Sequence, residues 1–274
     1  MTIVRGVDFC NAPDRRSPIV VADCVLNGTV LTVQRLRRLT TLADFDHLLH
    51  EPGPWITGFD FPFGMPHRLI EMLGMPRDWS AYVAAFAAMG SAGFVHCLDD
   101  YRAGREEGSR NHRRETDSLA GAASPMSTLN PPAAKMFVEG APRLLASGCH
   151  IPGLRPTDSD RVAVEAYPRA AANHLIGMES YTGPAPQARG ALAMLVGELV
   201  SAETLRHYGL MVRMSDALMA EVARAEKGDE IDAVLCALTA AWAWTRRADN
   251  HGVPGNADPL EGWIVGPAVG ESGG

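Results

Sequence analysis

The sequence predicts an α/β fold in which a mixed five-stranded sheet is flanked by helices. Two observations lead to this prediction. Residues 3–8, 55–60 and 161–165 are short apolar runs, rich in β-branched side chains, with the length and composition of buried strands. Longer segments between and after these runs carry apolar residues at helical spacing. Alternating strands and helices of this kind are typical of a sheet covered by helices on its faces.

Two further strands are predicted at residues 19–26 and 29–36. Between them lie Asn27 and Gly28, a dipeptide that strongly favours a tight hairpin turn. Together with the first strand, these two strands are expected to form an antiparallel meander at the start of the chain.

The remaining elements are predicted to be helical. Residues 41–49 have the pattern of an amphipathic helix leading to the fourth strand. About a hundred residues then separate the fourth and fifth strands, too many for one crossover connection, so a helical insertion is expected over about 62–160. Its helices are predicted at residues 66–73, 79–89 and 95–104, followed by a charged segment at 105–117 and an irregular loop at 124–133.

After the fifth strand, helices are predicted at residues 169–176, 188–205, 216–225 and 229–247, followed by a loop and short strand at 258–265. The whole chain, 1–274, is expected to form a single domain with a disordered tail over about 270–274.

Composition narrows the function classes. The 274 residues include 46% hydrophobic residues and carry a formal net charge of −7, which argues against a broad basic surface that coats nucleic acid. The five cysteines are scattered without a CxxC pair, which disfavours a disulfide framework or a zinc site. No signal peptide and no apolar run long enough to cross a bilayer are expected, so a cytoplasmic location without membrane association is predicted. The oligomeric state is left open.

Three of the predicted strands end in an acid: Asp8, Asp60 and Glu165. A small residue stands two positions before each acid, and residues two apart in a strand share a face. These small residues are Gly6, Gly58 and Ala163. We expect another element to pack closely against the sheet at these positions.

The helix predicted from residue 229 is the best candidate for that element. In a helix, Asp232, Cys236 and Ala240 form one row that is acidic at its start and small thereafter. Asp229 lies one turn before Asp232. The alternative for Asp229 is a helix N-cap, with Asp232 favoured near the same end by the helix dipole.

Carboxylates that converge from a sheet and a helix repel one another unless a cation lies between them. Oxygen-only ligands favour Mg²⁺ or Mn²⁺. The sequence therefore predicts a metal site in which Asp8, central in the sheet, is a ligand shared by two metal ions. The predicted ligands are Asp8, Asp60, Glu165, Asp229 and Asp232, and the predicted catalytic residues are Asp8, Asp60, Glu165 and Asp232.

The order of meander, helix, two acidic strands and a late Asp-bearing helix resembles the RNase H-like fold. The segment Asp229-x-x-Asp232-Ala233 looks like that of RuvC-type resolvases. The chain more closely resembles the domain-of-unknown-function 429 family of predicted RNase H-like nucleases. The motifs that carry this resemblance are Gly6-Val7-Asp8, Asp60-Phe61-Pro62-Phe63-Gly64-Met65-Pro66, Glu165-Ala166-Tyr167-Pro168, Asp229-x-x-Asp232-Ala233 and Glu261-Gly262-Trp263-Ile264. The resemblance implies a metal-dependent hydrolase of phosphodiesters.

A polymeric substrate also needs cationic contacts along its phosphates. Arg15 and Arg16 follow directly after the first acidic strand, and Arg113 and Arg114 lie in the charged part of the insertion. These four arginines are the predicted substrate-binding residues. The alternative for the insertion is a solvated face neutralised by its own acids.

Several other functions compete with a nuclease. An actin-like ATPase would need an Asp-x-Gly turn, which Asp8-Phe9-Cys10 lacks, and the serine-hydrolase and P-loop motifs do not occur. A Mg²⁺-dependent enzyme acting on a small phosphorylated molecule remains open, as does a non-catalytic scaffold whose acids serve as caps and ion pairs. The predicted partners are accordingly nucleic acid or a small phosphorylated substrate.

Overall fold

The computed structural model describes residues 1–270. It has six strands: β1 (Thr2–Asp8), β2 (Ile19–Asn27), β3 (Val30–Leu39), β4 (Trp55–Asp60), β5 (Arg161–Glu165) and β6 (Met211–Arg213). They form one sheet in the order β5-β4-β1-β2-β3-β6. The pairs β1/β2 and β2/β3 are antiparallel, and the other three pairs are parallel. The expected mixed sheet is thus confirmed, but the expected count of five strands was wrong.

The sixth strand is β6, which adds three residues to the outer edge of β3. Its short length leaves too few residues for strand periodicity to show in the sequence. The short strand expected within residues 258–265 makes only an isolated bridge, between Glu165 and Ile264.

Eleven α-helices lie within the described residues. They are α1 (Leu42–Leu49), α2 (His67–Met72), α3 (Trp79–Arg102), α4 (Glu115–Ala120), α5 (Ala133–Ser147), α6 (Pro168–Ile176), α7 (Pro186–Leu199), α8 (Ala202–Tyr208), α9 (Asp216–Val222), α10 (Asp229–Thr245) and α11 (Pro267–Gly270). Glu107–Ser109 and Asn250–Gly252 form short 3-10 helices.

Several helix boundaries differ from those expected. The segment predicted as one helix over 188–205 is divided into α7 and α8, where Ser201 caps α8. The pair predicted at 79–89 and 95–104 is continuous as α3 except at Gly90, whose φ of 66° breaks the helix. The tail predicted from about 270 falls on residues 271–274, which lie outside the described residues, and Gly270 itself belongs to α11.

The two faces of the sheet support two apolar cores. Val4 and Ile56 face one core, which includes the buried side of α10, while Val7 and Phe59 face the other, which includes residues of α1, α3 and α5. Helices α2 to α5 all lie in the chain between β4 and β5. The second core therefore contains residues from this segment together with residues from the sheet itself.

Helix α3 is the one described helix that is long and apolar enough to cross a membrane by length and composition. The sequence-based expectation that no apolar run reaches this length was therefore wrong. A single helix of this kind is weak evidence for a span, because core helices of soluble proteins meet the same criteria. In α3, Trp79, Tyr82, Phe86 and Phe94 are buried in the second core.

Helix α10 lies directly against the backbone of β1 and β4. A Cβ atom added to Gly6 would lie 2.0 Å from the carbonyl oxygen of Ala233 and 2.1 Å from the amide nitrogen of Ala237. A Cβ atom on Gly58 would lie 2.4 Å from the carbonyl oxygen of Cys236. The expected close packing at these two glycines is therefore present.

Gly6→Ala tests this contact. Because no side chain fits between β1 and α10, the methyl group should destabilise the protein by about 3 kcal/mol or more. The matched control is Gly197→Ala, at an exposed position inside α7 where an added Cβ meets nothing within 4 Å. That change should stabilise the helix by about 0.5–1 kcal/mol. Urea unfolding would measure both, and equal stabilities of the two variants would contradict the close packing.

Candidate functional site

Asp8 and Asp60 lie side by side at the C-terminal ends of β1 and β4. They end two parallel neighbouring strands and are register partners, as are Gly6 and Gly58 before them. Neighbouring strands are about 4.8 Å apart, so the two carboxylates start from backbone positions at about that separation. The side chains of Val4 and Ile56, on the same face as these acids, pack in the core that includes α10.

Asp232 extends the pair from the helix above it. It lies in the first turns of α10, and it is the only residue from Ile231 to Ala243 that is not fully buried. The close contact of α10 with Gly6 holds this end of the helix over the ends of β1 and β4. Three acids from three elements therefore share one partly accessible site.

The pKa of Asp8 is raised well above its ordinary value. Burial contributes most, followed by the negative charges of Asp232, Asp60 and Asp229. Burial also raises the pKa of Asp60 strongly, with Asp232 and Glu165 adding to the effect. Neither carboxylate has a hydrogen bond or ion pair to a side chain or backbone group within residues 1–270. Both carboxylates are thus short of positive charge.

Asp232 has more support than its neighbours. Its pKa is raised to about 7, mainly by burial; the hydrogen bond from Tyr181 opposes this rise and the charge of Asp229 adds to it. The Tyr181 hydroxyl donates to Asp232 at 2.7 Å, and the Arg169 guanidinium lies 5.1 Å from the Tyr181 ring. The positive charge of Arg169 also lowers the pKa of Asp232.

Sequence reasoning did not identify Tyr181 or Arg169. Tyr181 lies between α6 and α7 and reaches Asp232 across 51 residues of chain, so no local spacing could reveal it. Arg169 offered a weak signal, because it lies four residues after Glu165, one of the predicted acidic ligands.

Asp229 is the first residue of α10, and the N-cap is Gly228, which makes no side-chain cap. The alternative of Asp229 as the N-cap was therefore wrong. Burial and the neighbouring Glu230 raise the pKa of Asp229, while Lys227 lowers it. Its charge acts on both Asp8 and Asp232. Asp229 lies at the edge of the acidic site, beside a groove that is lined by arginine and lysine side chains.

Glu165 is not grouped with Asp8, Asp60 and Asp232 as the sequence predicts, although its charge still raises the pKa of Asp60. It pairs in register with Phe59, while Val162 and Val164 of the same strand face the α10 core. Glu165 therefore lies on the opposite face from Asp8 and Asp60. Ala163 likewise belongs to the second core, so its small size makes no room for α10.

A buried arginine neutralises Glu165. Arg114 donates to both carboxylate oxygens, at 2.6 and 2.9 Å, and pairs with Asp117 at 2.6 Å. The amide of Phe63 donates to Glu165 at 2.9 Å. These three charged side chains are at most 3% exposed. Burial raises the pKa of Glu165 and the Arg114 charge opposes that effect.

The four predicted substrate-binding arginines have different surroundings. Arg114 is buried in the ion pairs just described, so the expectation that it forms part of an open binding surface was wrong. Arg113, next to it, is exposed. Arg15 and Arg16 are exposed and line a surface groove together with Arg38, Lys227 and Asp229.

A second depression opens beside Asp60 and encloses about 520 Å³ of empty space, part of it open to solvent. Its walls are mainly apolar: Phe61, Pro62, Ala122, Ala123, Pro131, Ala133, Met136, Ala166, Tyr167 and Ile264. Asp60 lies at one side, and Arg114, Asp117 and Glu165 form part of the wall. We call this depression the Asp60 cavity.

The acidic residues present fit the expected metal only in part. Within residues 1–270, no group of three or more His, Cys, Asp or Glu side chains is arranged closely enough to form a ready-made metal site. Asp8 and Asp60 nevertheless offer oxygen donors without a cationic partner. Mg²⁺ characteristically binds one or two carboxylates and keeps several waters, so a pair of acids fits it chemically.

A comparison with protein families matches residues 6–258 to a family described as "Protein of unknown function (DUF429)". No curated protein and no solved structure matches the chain.

Arg114→Met tests whether Arg114 stabilises the fold. Removing the guanidinium leaves Glu165 and Asp117 buried without their cation, so stability should fall by about 3–5 kcal/mol. Arg113→Ala is the matched control and should change stability by less than about 0.5 kcal/mol. Chemical unfolding measures both changes, and an equally small effect of the two substitutions would contradict the buried ion pair.

The raised pKa values predict how stability depends on pH in EDTA. In the unfolded chain an Asp titrates near pH 4, whereas Asp232 titrates at about 7 in the folded protein and the pKa values of Asp8 and Asp60 are also raised. The folded state then binds more protons than the unfolded state, so stability should fall as pH rises from about 4 to about 7.

Asp8→Asn should weaken this dependence, because it removes one of the repelling charges. At pH 7.5 in EDTA it should raise the melting temperature by at least about 2 °C, which corresponds to roughly 1 kcal/mol. Asp158→Asn, at an exposed position outside the site, serves as control. A lower melting temperature for Asp8→Asn would mean that structural hydrogen bonds hold the carboxylate.

Proposed function

The chain belongs to the DUF429 family, and we propose that it is a Mg²⁺- or Mn²⁺-dependent phosphodiester hydrolase, a nuclease, built on an RNase H-like fold. The observation that carries this proposal is the pair Asp8 and Asp60. They are adjacent on parallel strands, partly accessible and without any cationic partner in the described chain. Their mutual repulsion is relieved by a bound cation.

Other acids in the protein give a useful contrast. Glu165 is neutralised by Arg114, and Asp23 contacts Arg5, Arg35 and Arg37. The fold therefore provides arginine partners for carboxylates where they serve its stability. Unpaired acids concentrated at one sheet edge are more consistent with a binding site.

Strand order supports the RNase H-like assignment. The antiparallel meander of β1, β2 and β3 is extended beyond β1 by the parallel strands β4 and β5, and β1 and β4 end in acids. The late helix α10 then crosses the face that carries those acids. Meander, acidic strands and Asp-bearing helix are the features on which the resemblance rests.

Asp8 and Asp60 would hold the cation, with Asp232 completing the acidic surround. When bound there, the cation would stabilise negative charge on the phosphodiester and lower the pKa of a water molecule. Asp232 is oriented by its hydrogen bond from Tyr181, in the way that outer hydrogen bonds orient metal-binding carboxylates. Arg169 would add positive charge near the substrate phosphate.

In this proposal Glu165 and Asp229 are not the main ligands. The Glu165 carboxylate is fully used by Arg114 and the Phe63 amide. Asp229 affects the site through its charge and lies at its outer edge. The competing function of a non-catalytic scaffold requires no cation at Asp8, so metal binding separates it from the nuclease.

Mn²⁺ calorimetry tests the proposal. Asp8→Asn and Asp60→Asn should each weaken Mn²⁺ binding at least about tenfold, because each removes a direct oxygen ligand. Asp229→Asn should have a smaller effect, and the exposed control Asp158→Asn should have none. Unchanged Mn²⁺ affinity in Asp8→Asn would show that the metal site is misplaced.

Hydrolysis of a short oligonucleotide in Mg²⁺ is the matching activity measurement. Asp8→Asn should abolish it, while Asp158→Asn should retain it. If wild-type protein binds Mn²⁺ but cleaves no phosphodiester, the metal site is supported and the nuclease function is rejected.

A further inference from the structure

Two unlike surfaces lie on either side of Asp8 along the sheet edge. The Asp60 cavity lies at the ends of β4 and β5, and the groove lined by Arg15 and Arg16 lies beside β2 and β3. Strand order places β1, with Asp8 at its end, between them. The distance from β4 to β3 is three strand spacings, or about 14 Å.

The Asp60 cavity is suited to a flat apolar group. Phe61, Tyr167 and Met136 contribute large side chains to its walls, and aromatic rings of this kind stack on nucleobases. Asp60 lies at its side, so a group held in the cavity stands next to the acids. An anionic phosphate would be a poor occupant of so apolar a space.

The inner end of the cavity is closed. Arg114, Asp117, Glu165 and Ile264, which contribute to its wall, are each at most 3% exposed. A continuous strand cannot run on through this wall, whereas a terminal base can enter from the open side without the strand turning back on itself.

The groove on the other side of Asp8 has the opposite character. It encloses about 810 Å³ of empty space and is lined by five cationic side chains and three carboxylates: Arg15, Arg16, Arg38, Arg224, Lys227, Glu226, Asp229 and Glu230.

Arg15 and Arg16 form no ion pair within residues 1–270, whereas Arg38 pairs with Glu221 and Glu230. The two unpaired guanidinium groups are thus available for phosphates.

We propose that the substrate is the end of a single-stranded nucleic acid, with its last base in the Asp60 cavity and its following phosphates along the Arg15–Arg16 groove. This inference rests on the proposed hydrolase function and adds its substrate class. The scissile phosphodiester then lies at Asp8 and Asp60, between base and groove.

One water is consumed per cut: its oxygen bonds to phosphorus, the bond from phosphorus to the leaving oxygen breaks, and the leaving oxygen gains a proton. The products are a nucleotide and a shortened strand.

Base binding is tested with a single-stranded oligonucleotide that carries 2-aminopurine either at one end or in the middle. Mixing it on ice with wild-type protein and Ca²⁺, in place of Mg²⁺ or Mn²⁺ to limit cleavage, should change the fluorescence of an end-labelled strand more than that of a middle-labelled one. Both ends are labelled in separate strands, since either could enter. No difference between end and middle labels would overturn the proposal.

Two variants fill the cavity. Ala123→Phe and Met136→Trp place a ring at positions that are only partly buried, so the fold can accommodate them. Each should weaken the affinity for the end-labelled strand at least about tenfold and leave Mn²⁺ binding unchanged. The control is Leu119→Phe, an exposed position on α4 outside the cavity lining. Equal loss in the control and both cavity variants would overturn the assignment.

The groove is tested by replacing Arg15 and Arg16 with Ala together. Loss of two phosphate contacts should make the slope of log affinity against log salt less negative by about 1.4 for a single strand. Binding of a mononucleotide should be unaffected. An unchanged salt slope would overturn the polymer part of the proposal and favour a mononucleotide as the substrate.

Cleavage separates this inference from the proposed function. A linear single strand should be degraded from its end in Mg²⁺, whereas a covalently closed circle of the same sequence should stay intact. A circle cut as fast as the linear strand overturns end recognition and leaves the hydrolase standing. If neither is cut but end-labelled strands still bind in the cavity, end recognition is supported and the hydrolase is rejected.

Discussion

The contact between α10 and the bare backbone of β1 and β4 is the constraint on which the rest of the site depends. Gly6 and Gly58 leave no space between helix and sheet, so the helix can approach only where both side chains are missing. This approach brings Asp232 to the strand ends where Asp8 and Asp60 lie. A larger residue at either glycine would separate the helix from the sheet and the acids from one another.

The same closeness explains the electrostatics. Asp8, Asp60 and Asp232 are drawn together by backbone packing, and the apolar contacts of α10 offset their repulsion. Burial and mutual charge then raise their pKa values. Only Asp232 gains a hydrogen bond, from Tyr181. Packing on the apolar side of the helix therefore maintains an acidic arrangement that would be unfavourable by itself.

Glu165 shows how a neighbouring acid can serve the fold instead. It ends the same kind of strand as Asp8 and Asp60, but Arg114, the N-cap residue of α4, pairs with both Glu165 and Asp117. This ion-paired group also forms the closed wall of the Asp60 cavity. A structural ion pair and an acidic site thus share one sheet edge, and the cavity between them links the two.

The sequence by itself determined the elements with strong local signals. The β-branched runs, the Asn27-Gly28 turn and the apolar periodicity of α1 and α10 depend on neighbouring residues, so β1 to β5 and these helices could be predicted. The recurrence of a small residue two positions before an acid was enough to predict that α10 packs on Gly6 and Gly58. The acids Asp8, Asp60 and Asp232 could be selected for the same reason.

Only the tertiary structure decided the rest, because it depends on contacts between distant parts of the chain. β6 is three residues long and exists through its pairing with β3. Helix α5, which contains Pro142, was not predicted from the sequence, and it is stabilised by burial in the second core. The face of Glu165 follows from its register with Phe59, and its partner Arg114 lies 51 residues away. Register and long-range ion pairs leave no local pattern, so the division between structural and candidate functional acids required the folded chain.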